Sequence, residues 1–123
     1  MNNNFKKLVV WQKSVELVEK VYIATKKLPR EEVYNLTSQI RRAALSIPSN
    51  IAEGSRRNNQ PEFNQFLGIA RGSAAELETQ LLIAQKLYPK IDFGSSEKLL
   101  VEVQKMLNSF YHKFNTSNIS SIV

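Results

Sequence analysis

The chain has 123 residues, of which 42% are apolar and 23% charged, and its net charge is +6. This size fits one soluble domain with a core of its own, and the absence of cysteine excludes disulfides and thiolate chemistry. The basic excess lies entirely in residues 1–57, which carry 11 basic and 5 acidic side chains, whereas residues 58–123 carry 6 of each. Such asymmetry favours a polyanionic partner, although a modest net charge also serves solubility.

Neither a membrane segment nor a secretory signal is predicted. No apolar stretch approaches the roughly 20 residues that a membrane helix needs. Residues 1–7 lack a long apolar run followed by a small-residue cleavage site. We therefore expect a cytoplasmic protein without a membrane partner, a location that the absence of cysteine also suits.

Apolar residues recur at three- and four-residue steps in four segments, and this spacing predicts four amphipathic helices. The expected bounds of the helices are 8–28, 32–54, 61–88 and 96–114. Proline marks the breaks, at Pro29, Pro61 and Pro89. No segment has the pattern of a strand, and residues 115–123 are expected to form a polar tail. Short connections between four helices predict a single all-α domain over residues 1–123, an antiparallel up-and-down four-helix bundle.

Pro48 lies inside the apolar stripe of the second predicted helix. Because proline lacks an N–H and its ring clashes with the carbonyl of Ala44, we expect helix 2 to be kinked at Pro48. An alternative is that the segment from Ser46 to Asn50 forms a surface that meets a neighbouring molecule.

The sequence offers no catalytic constellation. His112 is the only histidine, so a carboxylate-bridged di-metal centre, which needs two Glu-x-x-His pairs, is excluded. Residues 68–73 resemble a phosphate loop only in their glycines, since they lack the Gly-Lys-Ser/Thr ending and lie within a helical pattern. We expect no enzymatic activity, no metal and no cofactor.

Small residues cluster in the third helix around Gly68 and Gly72. Each glycine costs a helix about 1 kcal/mol, so close packing against another backbone is predicted to compensate. A direct contact with a ligand or partner is the alternative. Ser73 and Glu76 are open to the same two interpretations, as polar contacts inside the bundle or towards a neighbouring chain.

Four lysines recur every seven residues, at Lys6, Lys13, Lys20 and Lys27. Because seven residues are nearly two helical turns, these lysines line one side of helix 1 about 10 Å apart and are candidate phosphate contacts. Glu16 lies within ion-pairing reach of two of them along the helix, so an ordinary solvated face is the alternative.

Two arginine pairs come from the same region of the chain, and arginine's planar fork suits phosphate oxygens. Arg56 and Arg57 lie in a polar loop and are the better candidates for phosphate contacts. Arg41 and Arg42 point about 100° apart on a helix, so we expect one of them to pair with a carboxylate of the bundle. The candidate carboxylates are those of Glu53 and Glu76.

Residues 36–54, LTSQIRRAALSIPSNIAEG, resemble the four-helix bundle proteins named for open reading frames in intervening sequences of bacterial 23S ribosomal RNA genes. Residues 8–13, 62–73 and 76–81 carry further matches, and the resemblance covers roughly residues 5–114. The residues that we assign to the family motif are Arg41, Arg42, Ser46, Pro48, Asn50, Glu53, Gly54, Gly72, Ser73 and Glu76.

This resemblance implies an all-α bundle that assembles as a ring-like homopentamer. The family is also similar to the accessory protein of diversity-generating retroelements, a basic pentamer that binds nucleic acid and its reverse transcriptase. A non-enzymatic oligomer that contacts RNA or DNA phosphates is therefore expected. The expected contacts are Arg56, Arg57, Lys6, Lys13, Lys20 and Lys27. The alternative is a protein-interaction scaffold, for example for a reverse transcriptase, without nucleic-acid binding of its own.

Overall fold

The computed structural model of the protein describes residues 4–122, with side chains for residues 4–113. Four helices follow one another along the chain: α1 Val9–Thr25, α2 Leu36–Ser55, α3 Gln60–Leu87 and α4 Gly94–Ile122. Short 3-10 turns precede the first two helices, at Phe5–Lys7 and Arg30–Glu32. The described residues contain no strand, and the predicted all-α class is confirmed.

Each helix packs against its neighbours in the chain, and α4 closes the arrangement by packing against α1. The most extensive contact joins α2 to α3. Because short connections link consecutive helices, neighbours run in opposite directions around one core. The predicted four-helix bundle is confirmed. None of the helices within the described residues is long and apolar enough to cross a membrane.

The core receives fully buried side chains from every helix. One fully buried example from each helix, α1 to α4 in order, is Leu17, Ile47, Leu77 and Leu107. Each such residue contributes roughly 1.5–3 kcal/mol by leaving water. The apolar stripes that predicted the helices are therefore the faces that hold the bundle together.

The helix ends differ from the predicted bounds because local hydrogen bonds decide them. Helix α1 stops at Thr25, and the chain passes through turns and the 3-10 segment before α2 begins at Leu36. Helix α4 begins at Gly94, whose N–H donates to the Asp92 carboxylate at 2.8 Å. Its backbone stays helical to Ile122, so most of the predicted polar tail 115–123 is part of α4. The side chains from residue 114 onward, including that of Phe114 at the end of the predicted fourth helix, lie outside the described residues, as does all of residue 123.

Helix α2 runs without interruption through Pro48, which is buried. The missing N–H of Pro48 leaves the Ala44 carbonyl without its usual helical donor. Near this point the Asn50 side chain donates to the Ser46 carbonyl oxygen at 2.7 Å. The kink at Pro48 stays a prediction.

The close approach predicted for the glycines of α3 occurs instead at Gly54 of α2. A Cβ placed on Gly54 would lie 2.7 Å from the Cβ of Phe66 and 2.9 Å from Cδ1 of Phe63. A Cβ on Gly68 would only touch the Tyr111 ring at 3.4 Å, and one on Gly72 would meet nothing within 4 Å. Within the described part of the chain, the packing prediction is therefore wrong for Gly72.

Candidate nucleic-acid interface

The four lysines of the seven-residue repeat do not all belong to α1. Lys13 and Lys20 lie within the helix, whereas Lys6 is in the first 3-10 turn and Lys27 is in the turn after Thr25. Lys13, Lys20 and Lys27 nevertheless line the same shallow groove between α1 and the start of α4. The structure thus places three of the four side chains along one side of the bundle.

Acidic side chains share that groove with the lysines. The Lys13 ammonium lies 3.9 Å from the Glu102 carboxylate of α4, and Glu16 and Asp92 also line the groove. An exposed ion pair of this kind is worth only about 0–1 kcal/mol of stability, but the glutamate offsets the positive charge that a phosphate would meet at Lys13. Sequence spacing revealed Glu16 and missed Glu102, because the latter is brought in by a different helix.

Arg57 is largely committed to contacts within the protein. One terminal nitrogen of its guanidinium lies 2.6 Å from the Glu53 carboxylate, one helical turn away. The same guanidinium lies 4.8 Å from the centre of the Phe66 ring, within the range of a cation–π contact. Arg57 is therefore a weaker candidate for a phosphate contact than its neighbour.

Arg56 is exposed and makes no ion pair within residues whose side chains are described. Its guanidinium lies 5.3 Å from the centre of the Phe5 ring. This contact brings the end of α2 next to the 3-10 turn that carries Lys6 and Lys7, both of them exposed. We call Lys6, Lys7 and Arg56 the basic end of the bundle. Lys7 was missed by the sequence reasoning because it is out of step with the seven-residue repeat.

The predicted pairing of Arg41 or Arg42 with Glu53 or Glu76 is wrong. Arg41 Nε donates to the Thr25 hydroxyl at 2.9 Å, and Glu53 pairs with Arg57. Glu76 accepts instead from the Gln80 side chain, one turn along the same helix, at 3.1 Å. The register of α2 places Arg41 against α1, so the nearest available acceptor is a hydroxyl and not a carboxylate.

Ser73 takes the first of its two predicted roles, as a polar contact inside the bundle. Its hydroxyl lies 2.8 Å from that of Ser46, so the two form a hydrogen bond between α2 and α3. The Asn50 side chain donates to the Ser46 hydroxyl at 2.9 Å and completes a small polar network. These motif residues join two helices through side-chain hydrogen bonds.

The described residues contain no cluster of metal-ligating side chains. No group of three or more His, Asp or Glu side chains among them is placed to hold a metal ion. The arrangement that remains is a set of exposed cations at one end of the bundle and a mixed-charge groove along α1. Exposed cations of this kind can bind anions by charge and hydrogen bonding.

The chain matches the family model described as 23S rRNA-intervening sequence protein over residues 6–109. It is also similar to a crystal structure of a protein of unknown function from the S23 ribosomal protein family of Bacteroides thetaiotaomicron. The two sequences are 27% identical, the match covers 84% of this chain and 98% of that one, and the TM-score is 0.76. No curated protein matches the chain. The matched residues include the basic end and the groove between α1 and α4.

Proposed function

The chain belongs to the 23S rRNA-intervening sequence protein family, and from this premise we propose that it is a non-enzymatic homo-oligomer that binds the backbone phosphates of RNA or DNA. The observation that carries the proposal is the basic end, where Arg56, Lys6 and Lys7 are exposed without ion pairs among the described side chains. Contacts to phosphates fix a protein on nucleic acid without reading the base sequence. Little sequence specificity is therefore expected.

The contact between Arg56 and Phe5 supports this role for the basic end. Packing over an aromatic face restricts the guanidinium while leaving its N–H groups at the edge free to donate. The neighbouring lysines add charge without a fixed geometry. Together they suit phosphates whose positions differ from one nucleic acid to the next. Lys20 and Lys27 extend the basic surface along α1, and Lys13 and Arg57 contribute less because each pairs with a glutamate.

Exposed apolar side chains support the oligomeric part of the proposal. Leu82, Ile83 and Leu87 of α3 and Val101 of α4 are each between 44% and 60% exposed. Leu82 and Val101 line one groove between α3 and α4, and exposed apolar groups that lie together commonly mark a protein–protein contact. In a pentamer, which the family resemblance implies, a net charge of +6 per chain becomes about +30, and the basic ends repeat around the ring.

The test compares two variants of equal charge in a nucleic-acid-free preparation. Lys6→Gln/Arg56→Gln removes two cations from the basic end, and Lys86→Gln/Lys105→Gln removes two exposed cations from α3 and α4. Affinity for a structured RNA and for duplex DNA is measured over a salt series, after light scattering has fixed the oligomer mass. Each lost contact to duplex DNA lowers the log–log salt slope by about 0.9, so the first variant should lose roughly 2.

The outcomes separate specific contacts from general charge. If both double variants weaken binding equally, net charge and not the basic end attracts the nucleic acid. If the wild-type oligomer binds neither RNA nor DNA at low salt, the phosphate-binding proposal is wrong. The exposed apolar surface of α3 then favours the scaffold function, with a protein such as a reverse transcriptase as the partner to seek.

A further inference from the structure

The end of α1 and the start of α2 enclose a groove of about 580 Å³. Four cationic side chains line it: Lys26, Arg30, Arg41 and Arg42. No aspartate or glutamate lines it, in contrast to the groove between α1 and α4. The charges in this groove are therefore not balanced by the protein itself. An anion is the ligand class that such a surface attracts.

Arg41 is held in place in this groove by α1 without being neutralised. Its Nε donates to the Thr25 hydroxyl at 2.9 Å, and one terminal nitrogen donates to the Tyr22 carbonyl oxygen at 3.4 Å. The guanidinium also lies 4.3 Å from the centre of the Tyr22 ring. Because a guanidinium has five N–H groups, most of its donors remain for a ligand. Fixing the side chain in advance lowers the entropy lost on binding.

Thr37 supplies a hydroxyl to the groove. Its side chain lines the groove, the residue is only 6% exposed, and its hydroxyl makes no hydrogen bond within the described part of the chain. The hydroxyl oxygen itself is not fully shielded from solvent, so it opens to the groove, where a ligand oxygen can take the place of water. Thr37 also lies in the first turn of α2, which has no side-chain cap, so backbone N–H groups there remain unbonded.

We propose that this groove binds the phosphate group of a nucleotide or of a nucleic acid. A phosphate oxygen can accept from the Arg41 and Arg42 forks and from the Thr37 hydroxyl at the positive end of the α2 dipole. Val33 and Leu45, both partly exposed at the rim, offer apolar contact to the organic part of the ester. Glu31 and Glu32 follow Arg30 in the 3-10 turn, but neither lines the groove, and Glu32 accepts a hydrogen bond from Tyr88.

This inference does not depend on the proposed function. None of the groove's four cations belongs to the basic end, and none is among the lysines of the seven-residue repeat. The groove can therefore bind phosphate whether or not the basic end binds nucleic acid. Variants of the two sites separate the two claims.

The experiment measures binding to the full-length chain by calorimetry and by amide chemical shifts. The probes are inorganic phosphate, adenosine monophosphate, adenosine, and a short single-stranded oligonucleotide. Two variants weaken the groove: Thr37→Val, which removes only the unpartnered hydroxyl, and Arg42→Gln, which removes an exposed cation. Neither breaks a described hydrogen bond, so both should fold like the wild type. Arg56→Gln at the basic end is the matched control for the loss of one arginine.

We expect adenosine monophosphate to shift the amides of Thr37 and Ser38 and adenosine to leave them unchanged. Arg42→Gln should weaken this binding about tenfold and Thr37→Val several-fold, whereas Arg56→Gln should not change it. Binding of the oligonucleotide but not of the mononucleotide, with the same variant pattern, identifies nucleic acid as the source of the phosphate. The inference is overturned if adenosine binds as tightly as its monophosphate. It is equally overturned if neither groove variant weakens binding of any phosphate-bearing probe.

Discussion

Substitution of Gly54 by alanine tests whether the close contact of α2 with α3 is as tight as the structure indicates. The added Cβ would lie 2.7 Å from the Cβ of Phe66, 2.9 Å from Cδ1 of Phe63 and 3.3 Å from the carbonyl oxygen of Phe63. Two of these atoms are fixed to the backbone of α3 and cannot move away by a change of rotamer. The two helices would have to separate along their most extensive contact.

The magnitude follows from two opposed effects. Alanine improves helix propensity by about 1 kcal/mol over glycine. Overpacking a core by one methyl group costs typically 1–3 kcal/mol, and contacts below 3 Å with backbone-attached atoms favour the upper half of that range. Gly54→Ala should therefore lower the free energy of unfolding by roughly 1–2 kcal/mol. A loss of that size lowers the melting temperature by roughly 3–10 °C in a chain of this length.

Gly72→Ala is the matched control, because it makes the same chemical change in a helix where the new Cβ meets nothing within 4 Å. Only the propensity gain applies there, so the chain should become more stable by up to about 1 kcal/mol. Both variants are compared with the wild type by urea unfolding followed by circular dichroism, at one protein concentration and with the oligomer mass measured. If Gly54→Ala is as stable as Gly72→Ala, the contact geometry assigned to Gly54 is wrong.

Two further predictions concern a hydrogen bond and the core. The Tyr88 hydroxyl donates to the Glu32 carboxylate at 2.5 Å, and this bond raises the pKa of Tyr88 from 10.0 to about 12. The raised pKa stabilises the fold fully below pH 10, and this stability is lost as the pH rises from 10 to 12. Wild type should therefore lose more stability than Tyr88→Phe over that interval, and parallel urea midpoints would contradict this. Ile47→Ala should lower the free energy of unfolding by about 2–5 kcal/mol, because it leaves a cavity in the core. Leu45→Ala, at a half-exposed position, is the control and should change that free energy far less. Equal effects of the two substitutions in urea unfolding would place Ile47 outside the core.

The interiors of the helices could be predicted from the sequence, because the residues that a helix buries on one face must recur at three- and four-residue steps. Leu17 in α1 and Ile47 in α2 each belong to a stripe of apolar residues with helical spacing, and both are fully buried. The ends could not be predicted as well, since single hydrogen bonds decide them. The bond from Gly94 to Asp92 and the turn after Thr25 involve a few tenths to about 1 kcal/mol, too little to dominate a pattern of apolar residues.

The partners of charged side chains could not be predicted because they depend on contacts between helices. Arg41 was expected to pair with a glutamate and instead bonds to Thr25 of α1. Lys13 was compared only with Glu16 on its own helix, yet Glu102 of α4 lies 3.9 Å from it. Spacing along the chain identifies neighbours on one helix. Neighbours on another helix follow from the rotation of each helix in the bundle, which the sequence does not state.

The packing of the helices determines where the uneven charge of the sequence lies in the bundle. Residues 1–57 contain the whole basic excess, and they form α1 and α2, whereas the neutral half forms α3 and α4. Helix α1 itself carries two lysines and two glutamates, and the groove between α1 and α4 contains glutamates from both helices. The groove between α1 and α2 joins two helices of the basic half, and no acidic side chain lines it. Charge counting along the chain thus identified the half of the sequence that lines this groove, and the pairing of the helices determines which groove carries unbalanced charge.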